Sequence, residues 1–193
     1  MKIIGVTGKS GSGKTTFAKK LAKSLNGVYV DVDRVSKEPL NKPNIIHILC
    51  EKFGNEILDE KGNIDTKKLG IIVFSKEEWL NELMRITQKD AEQEIDDILS
   101  KKDNNIVVLE WIKLPISKYW EKCDTKILVK ADHIKRKSKV LERDNISEEY
   151  FEKRDLSAIE YEESDFNYIF KNNYNEKEME ETIDVISLKI MED

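Results

Sequence analysis

The chain has 193 residues but only two cysteines, two histidines and three prolines. Cys50 and Cys123 lie far apart in apolar or mixed surroundings, so no disulfide framework is expected and a reducing compartment suits the chain. So few histidines and cysteines leave no cluster of the kind a zinc site needs. His47 and Cys50 fall inside the helical pattern "NIIHILCEKF" and read as packing or surface residues. No apolar run approaches the ~20 residues of a membrane-spanning helix. The N-terminus passes at once into a strand pattern, which leaves no room for a signal peptide. Positive charge is not in excess either. Lys and Arg number 33 against 38 Asp and Glu, a net charge of −5, which argues against nucleic acid as a main partner. These absences together predict a cytoplasmic protein with no membrane partner.

What remains is 39% hydrophobic and 37% charged, a composition that suits one globular domain with a heavily charged surface. The glycines are unevenly spread. Gly8, Gly11 and Gly13 crowd into "GKSGSGKTT" (8–16), directly after the β-branched run "KIIGVT". Glycine loses more conformational freedom on folding than any other residue, so three together imply backbone geometry that side chains forbid. The spacing Gly8-x-x-x-x-Gly13-Lys14-Thr15 is that of a phosphate loop. Successive N–H groups curl around an anion, and the following helix points its positive end at the same place. Lys14 then reaches the outer phosphates and the Thr15 hydroxyl is suited to Mg²⁺. "TTFAKKLAKSL" supplies the helix, with Phe17, Leu21 and Leu25 on one face. The expected ligand is a nucleoside triphosphate.

Further strands are expected at "GVYVDVD" (27–33), "NIVVLE" (105–110), "CDTKILVKA" (123–131) and "NYIFKNN" (167–173). Between them the chain reads as helical. The 77–100 segment carries Leu80, Leu83, Ile86, Ala91, Ile95 and Ile98 at helical spacing, and "DEKGNID" (59–65) reads as a turn. The charged stretch 133–163 is expected to be helical, as is the C-terminal "NEKEMEETIDVISLKIMED". Strands alternating with helices predict an α/β fold: a parallel sheet of about five strands with helices on both faces, binding its ligand at the carboxyl ends of the strands.

Asp31 and Asp33 lie two apart on the expected second strand and would share a face. Asp33 is placed to orient a hydroxyl and accept its proton. Glu110 ends an apolar strand, where phosphate-loop proteins keep a metal-shell or attacking group. Lys135, Lys139 and Arg143 recur every fourth residue, with Arg136 beside them and Arg154 beyond. Arginines on a hinged helical pair can close over a transferring phosphoryl group and exclude water.

These motifs together resemble the dephospho-coenzyme A kinases, over nearly the whole chain. "IIGVTGKSGSGKTTFAKKL" is similar to the family opening and "VYVDVDRV" to its second strand. The stretch from "FGNEILDEKGNIDTKKLGIIVF" is similar to its central part, "KVLERDNISEEYFEKR" to its lid, and "YIFKNNYNEKEMEETI" to its closing strand and helix. The resemblance implies a P-loop kinase domain over 1–193, with an acceptor-side helical region at about 40–100 and a lid at about 133–165. ATP with Mg²⁺ would be the donor and the 3′-hydroxyl of dephospho-CoA the acceptor. Gly8, Ser10, Gly11, Ser12, Gly13, Lys14, Thr15 and Thr16 would hold ATP, with Arg143 and Asn172, and the turn after Asn172 would lie by the adenine. Lys14, Asp33 and Arg143 would be catalytic and Thr15 the metal ligand. Asp31, Glu110, Arg136 and Arg154 would belong to the acceptor side or the lid.

Several stretches depart from the family pattern. Gln88-Lys89 stands where it has His-Pro, and "IKLPI" (112–116) where it has Pro-Leu-Leu-Phe-Glu. The family's Asp-Arg before the Leu-Gly helix is here Asp65-Thr66, its lid glutamine is not evident near Ala158, and the segment between Arg154 and Asn172 is slightly short. Two other readings therefore stay open: a nucleoside or nucleoside monophosphate kinase, and a nucleotide-binding regulatory module.

Overall fold

The β-branched opening forms the first strand, β1 (Lys2–Thr7), and four more follow: β2 (Val28–Asp31), β3 (Ile106–Glu110), β4 (Thr125–Lys130) and β5 (Tyr168–Lys171). The structure, a computed structural model, describes residues 1–35, 40, 42–101, 105–156 and 158–192, apart from the side chains of Met84, Gln88, Lys89 and Asp90. All strand pairings are parallel, in the order β2-β3-β1-β4-β5. β1 is flanked on both sides, and its residues from Ile3 to Thr7 are buried, as a central parallel strand requires.

The chain divides into two compact units, residues 1–31 with 102–193, and residues 32–101. In the first, α1 (Lys14–Ser24) and α8 (Glu176–Glu192) cover one face of the sheet. Phe17, Ala18, Leu21 and Ala22 of α1 meet Met179, Ile183, Ile186 and Ile190 of α8 and the inward residues Ile4, Val6, Val108, Ile127 and Val129. Phe17 stacks on Phe170 with ring centroids 5.2 Å apart. Burying a side chain of this size contributes about 1.5–3 kcal/mol. The opposite face at β1 is covered by 3₁₀ turns at Leu114–Ile116 and Trp120–Lys122. There the approach is close: a Cβ on Gly5 would lie 2.8 Å from both Cys123 Sγ and Leu114 Cδ2. Cys50 and Cys123 are both free thiols, and burial pushes Cys123 up to about 12, which keeps it protonated. The rest of this unit is α6 (His133–Asp144) and α7 (Glu148–Leu156).

The second unit is helical: α2 (Val32–Val35), α3 (Pro43–Phe53), α4 (Thr66–Val73) and α5 (Glu77–Ser100). Pro43 opens α3 at a position where its missing N–H costs nothing. The Asp65 side chain caps α4, accepting from the Lys67 and Lys68 amides at 2.9 and 3.2 Å. Leu49, Phe53, Ile57, Leu69 and Val73 form its core, with Trp79 set edge-on to Phe53. The expected turn at 59–65 is closed by a bridge between Leu58 and Ile64.

Three expectations are corrected. β2 stops at Asp31, so Asp31 and Asp33 do not share a strand face; Asp33 lies in the single helical turn α2. The reason is the neighbouring strand: Asp31 pairs with Glu110, the last residue of β3, and beyond it no strand continues the ladder. The stretch 133–163 forms the expected helical pair, α6 and α7, but is not helical throughout. Asn145 takes a left-handed conformation (φ 49°) that ends α6, and residues 158–162 are irregular. On α5 the buried stripe near its end is Ala91, Ile95 and Leu99, with Ile98 only partly covered. No helix among the described residues is long and apolar enough to cross a membrane.

Candidate active site

The loop between β1 and α1 is held from behind by three side chains. Arg136 Nη1 donates to the Ser10 carbonyl at 3.1 Å, the Tyr174 hydroxyl to the Gly11 carbonyl at 2.7 Å, and Asn172 Nδ2 to the Ser12 carbonyl at 2.8 Å. These three bonds fix the loop from outside, and the Ser12 amide, donating to the Lys9 carbonyl at 3.1 Å, closes it from within. Gly13 caps α1 with φ 87° and supplies no side-chain acceptor, and no acidic residue lies in the first turn. The orphan N–H groups and the positive end of α1 thus meet no carboxylate of their own helix. Gly11 has φ 78°, and a Cβ there would lie 2.7 Å from the Arg136 carbonyl, so α6 approaches the loop as closely as glycine permits.

Beside the loop is a cavity of about 670 Å³, a volume that suits a nucleotide. Its lining includes Gly13, Lys14, Thr15 and Thr16 at one side, Lys139 and Arg143 of α6, and Asn172, Tyr174 and Met179 from the last strand, turn and helix. Three elements distant in sequence therefore bring cations, a hydroxyl pair and an apolar wall to one space.

Glu110 stands at the centre of the polar contacts. It is only 3% exposed, and its Oε2 accepts from Tyr29 Oη at 3.0 Å and Thr15 Oγ1 at 3.2 Å, while Oε1 lies 3.6 Å from Lys14 Nζ. Burial raises its carboxyl above the usual range, Lys14 and the two hydroxyls pull it back, and neighbouring Asp31 pushes it up again. A hydroxyl and a carboxylate oxygen this close are the hard donors Mg²⁺ prefers when substrate phosphates complete its shell. Among the described residues no group of three or more His, Cys, Asp or Glu side chains could hold a metal ion by itself.

Arg143, exposed on α6, lines the cavity and pairs with Asp144 at 2.6 and 2.9 Å. Arg154 of α7 lies 3.8 Å from the same Asp144 and over the Tyr150 ring. Arg136 does not share their exposure: it is 5% exposed and forked onto Asp155.

A profile of the CoaE, dephospho-CoA kinase, family matches residues 2–178. The chain belongs to that family. The dephospho-CoA kinase of Fusobacterium nucleatum is 34% identical to it over 175 residues, 90% of each chain. Among solved structures, a Thermus thermophilus protein has a TM-score of 0.80 at 25% identity, covering 99% of this kinase and 97% of its own chain. The dephospho-CoA kinase from Campylobacter jejuni has a TM-score of 0.69 at 23% identity, covering 98% of both chains, a likeness of fold. The five-stranded parallel sheet is thus that of the P-loop kinases, and this chain is an enzyme of the kinase class.

The first unit gathers Gly8, Ser10, Gly11, Ser12, Gly13, Lys14, Thr15, Thr16, Asp31, Glu110, Arg136, Arg143, Arg154 and Asn172. Asp33 falls in the second unit. Gln88 and Lys89 lie outside the described side chains. Sequence reasoning missed Tyr29, Tyr174 and Asp155. Tyr29 had a signal, since it lies two residues before Asp31 on the same strand face. Tyr174 and Asp155 had none: each acts on a residue distant along the chain.

Proposed function

We propose that this kinase transfers the γ-phosphoryl group of ATP to the 3′-hydroxyl of dephospho-CoA, in the cytoplasm and with Mg²⁺. Its membership of the dephospho-CoA kinase family supports the donor and the acceptor. The observation that carries the chemistry is the cavity, bounded by Gly11 and Gly13 of the loop, Lys14 and Arg143. Positioning and electrostatics are what phosphoryl transfer needs, and no covalent nucleophile is required.

In this reading Lys14 and the loop neutralise the outer phosphates. Thr15, with Glu110 beside it, holds the metal, which supplies positive charge to the triphosphate. Asp33 takes the proton of the acceptor hydroxyl as its oxygen forms the new bond to phosphorus. The bond from phosphorus to the bridging oxygen breaks, and ADP leaves with that electron pair. Arg143, with Arg154 nearby, stabilises the charge spread over the equatorial oxygens. Residues 32–101 serve the acceptor, and α6 with α7 forms the lid.

The test is an acceptor panel. Purified protein with ATP and Mg²⁺ is titrated with dephospho-CoA, adenosine and nucleoside monophosphates, and ADP release is followed. Dephospho-CoA should give the highest kcat/KM, and phosphorus NMR of the product should show a 3′-phosphate. A higher kcat/KM for a nucleoside or nucleotide would replace the acceptor while keeping the chemistry. No ADP release with any of them would leave a nucleotide-binding regulatory module.

A further inference from the structure

Arg136 was expected among the residues that meet substrate, yet both terminal nitrogens of its guanidinium are engaged elsewhere. Nη1 and Nη2 donate to the two carboxylate oxygens of Asp155 at 2.7 and 2.8 Å, a parallel fork, and Nη1 also donates to the Ser10 carbonyl at 3.1 Å. Both side chains are almost entirely buried, at 6% and 11% exposure. Their attraction keeps Asp155 well below the usual carboxylate range and Arg136 above its ordinary value. Arg136 is not among the described residues lining the large cavity.

Three separate elements meet at this one group: the loop through Ser10, α6 through Arg136, and α7 through Asp155. The backbone agrees with the side chain, because α6 touches the loop at the carbonyl of Arg136 and the methyl of Val140, where only Gly11 leaves room. Seven residues separate Arg136 from Arg143, two helical turns, so the two project from nearly the same face of α6. One end of that face is fastened to the loop; the other presents Arg143 to the cavity.

A buried ion pair is a poor device for stability alone, since desolvating both charges offsets most of their attraction. What a forked arginine–carboxylate pair supplies is orientation. We propose that the Arg136–Asp155 pair positions Arg143: it fixes α6 against the phosphate loop, so that Arg143 stands over the transferring phosphoryl group. Arg136 is a positioning residue acting through Arg143. The inference rests on the role given above to Arg143.

The experiment is a double-mutant cycle on turnover, with thermal unfolding measured on every variant. Asp155→Ala and Arg143→Ala are made singly and together, with Arg136→Lys, which keeps the charge but loses the fork, as an independent break in the pair. Arg143→Ala should lower kcat; if it leaves kcat unchanged, the reading of the site fails. Asp155→Ala and Arg136→Lys should each lower kcat by about tenfold, the effect of ~1.4 kcal/mol on the barrier, with KM for ATP changing less than about threefold. In the Arg143→Ala background the same changes should lower kcat by less than about twofold, while costing the same shift in Tm as in the wild type. Equal kcat losses in both backgrounds would show a role in stability alone and overturn the inference, as would an undiminished kcat in the singles. Should Asp155→Ala not fold, the Arg136→Lys arm decides by the same criteria.

Discussion

Thr15 Oγ1 donates to Glu110 Oε2 across 3.2 Å, joining the first turn of α1 to the last residue of β3. With Lys14 Nζ at 3.6 Å from the other carboxylate oxygen, Glu110 bridges the two side chains proposed for the phosphates and the metal. Burial already disfavours its charge. A folded-state carboxyl raised above its unfolded value means the ionised group weakens the fold at neutral pH. Glu110→Gln, the same size and neutral, should therefore leave Tm unchanged or higher. Turnover should fall by about 10²–10³-fold, the range for losing one preorganised electrostatic group. Thermal unfolding and kcat at saturating Mg·ATP, measured on one preparation, check both halves.

Lys14 is the complementary case. The residue lines the cavity, and its amine lies 3.6 Å from Glu110 Oε1. Lys14→Ala should abolish measurable phosphotransfer while the cooperative unfolding transition persists. The loss of its attraction leaves Glu110 less compensated, so a modest fall in Tm is expected. Unimpaired turnover at saturating ATP and Mg²⁺ would remove the loop from the mechanism.

The loop was legible because its requirements are local: three glycines, a lysine and a threonine at fixed spacing between a strand and a helix. The five strands were legible for the same reason, as short apolar runs between helical patterns. Their ends were not, because where β2 stops depends on where β3 stops. Arg136 shows the limit more sharply. In sequence it is one of several cations on a charged helix, and its burial is decided by Asp155, nineteen residues on, and by a carbonyl of the loop 126 residues before it. Tyr174 likewise serves Gly11 from 163 residues away. Nothing in local spacing encodes such a partner.

Gly13 should tolerate no side chain. It sits at φ 87°, and a Cβ there would collide with the Asn172 amide that holds Ser12. Gly13→Ala should destabilise the fold by about 1–3 kcal/mol and weaken nucleotide binding together. Gly62 is the control, with φ 80° and open space for 4 Å around the point where a Cβ would stand. Gly62→Ala should cost only the backbone strain, about 1–2 kcal/mol, and leave KM for ATP unchanged.

The Arg136–Asp155 pair also predicts a pH dependence of stability. Arg136 holds the Asp155 carboxyl low, against the opposing effect of burial. In the unfolded chain the same carboxyl takes up its proton near ~3.9. The stabilisation is then complete above that value and is lost as pH falls through the lower, folded one. Asp155→Asn also loses a charge that faces Lys9 and lies 3.2 Å from His133. The comparison is therefore made from about pH 5 downward: the denaturant midpoints of wild type and variant should differ there and converge in stronger acid. A gap that persists unchanged into acid would assign the difference to shape rather than charge.

Asp33 separates the chemistry from the binding. It opens the second unit, in the turn α2 that follows β2, and carries the proposed role of general base. Asparagine has the same shape and can still orient a hydroxyl, but it cannot take the proton. Asp33→Asn should therefore lower kcat by about 10²–10⁴-fold, the scale of a lost general base. The proposed ATP and Mg²⁺ site lies in the first unit, so the dissociation constant for Mg·ATP should change by less than about threefold. If Mg·ATP affinity falls and kcat at saturation does not, Asp33 serves the metal, and the base must be sought in another residue.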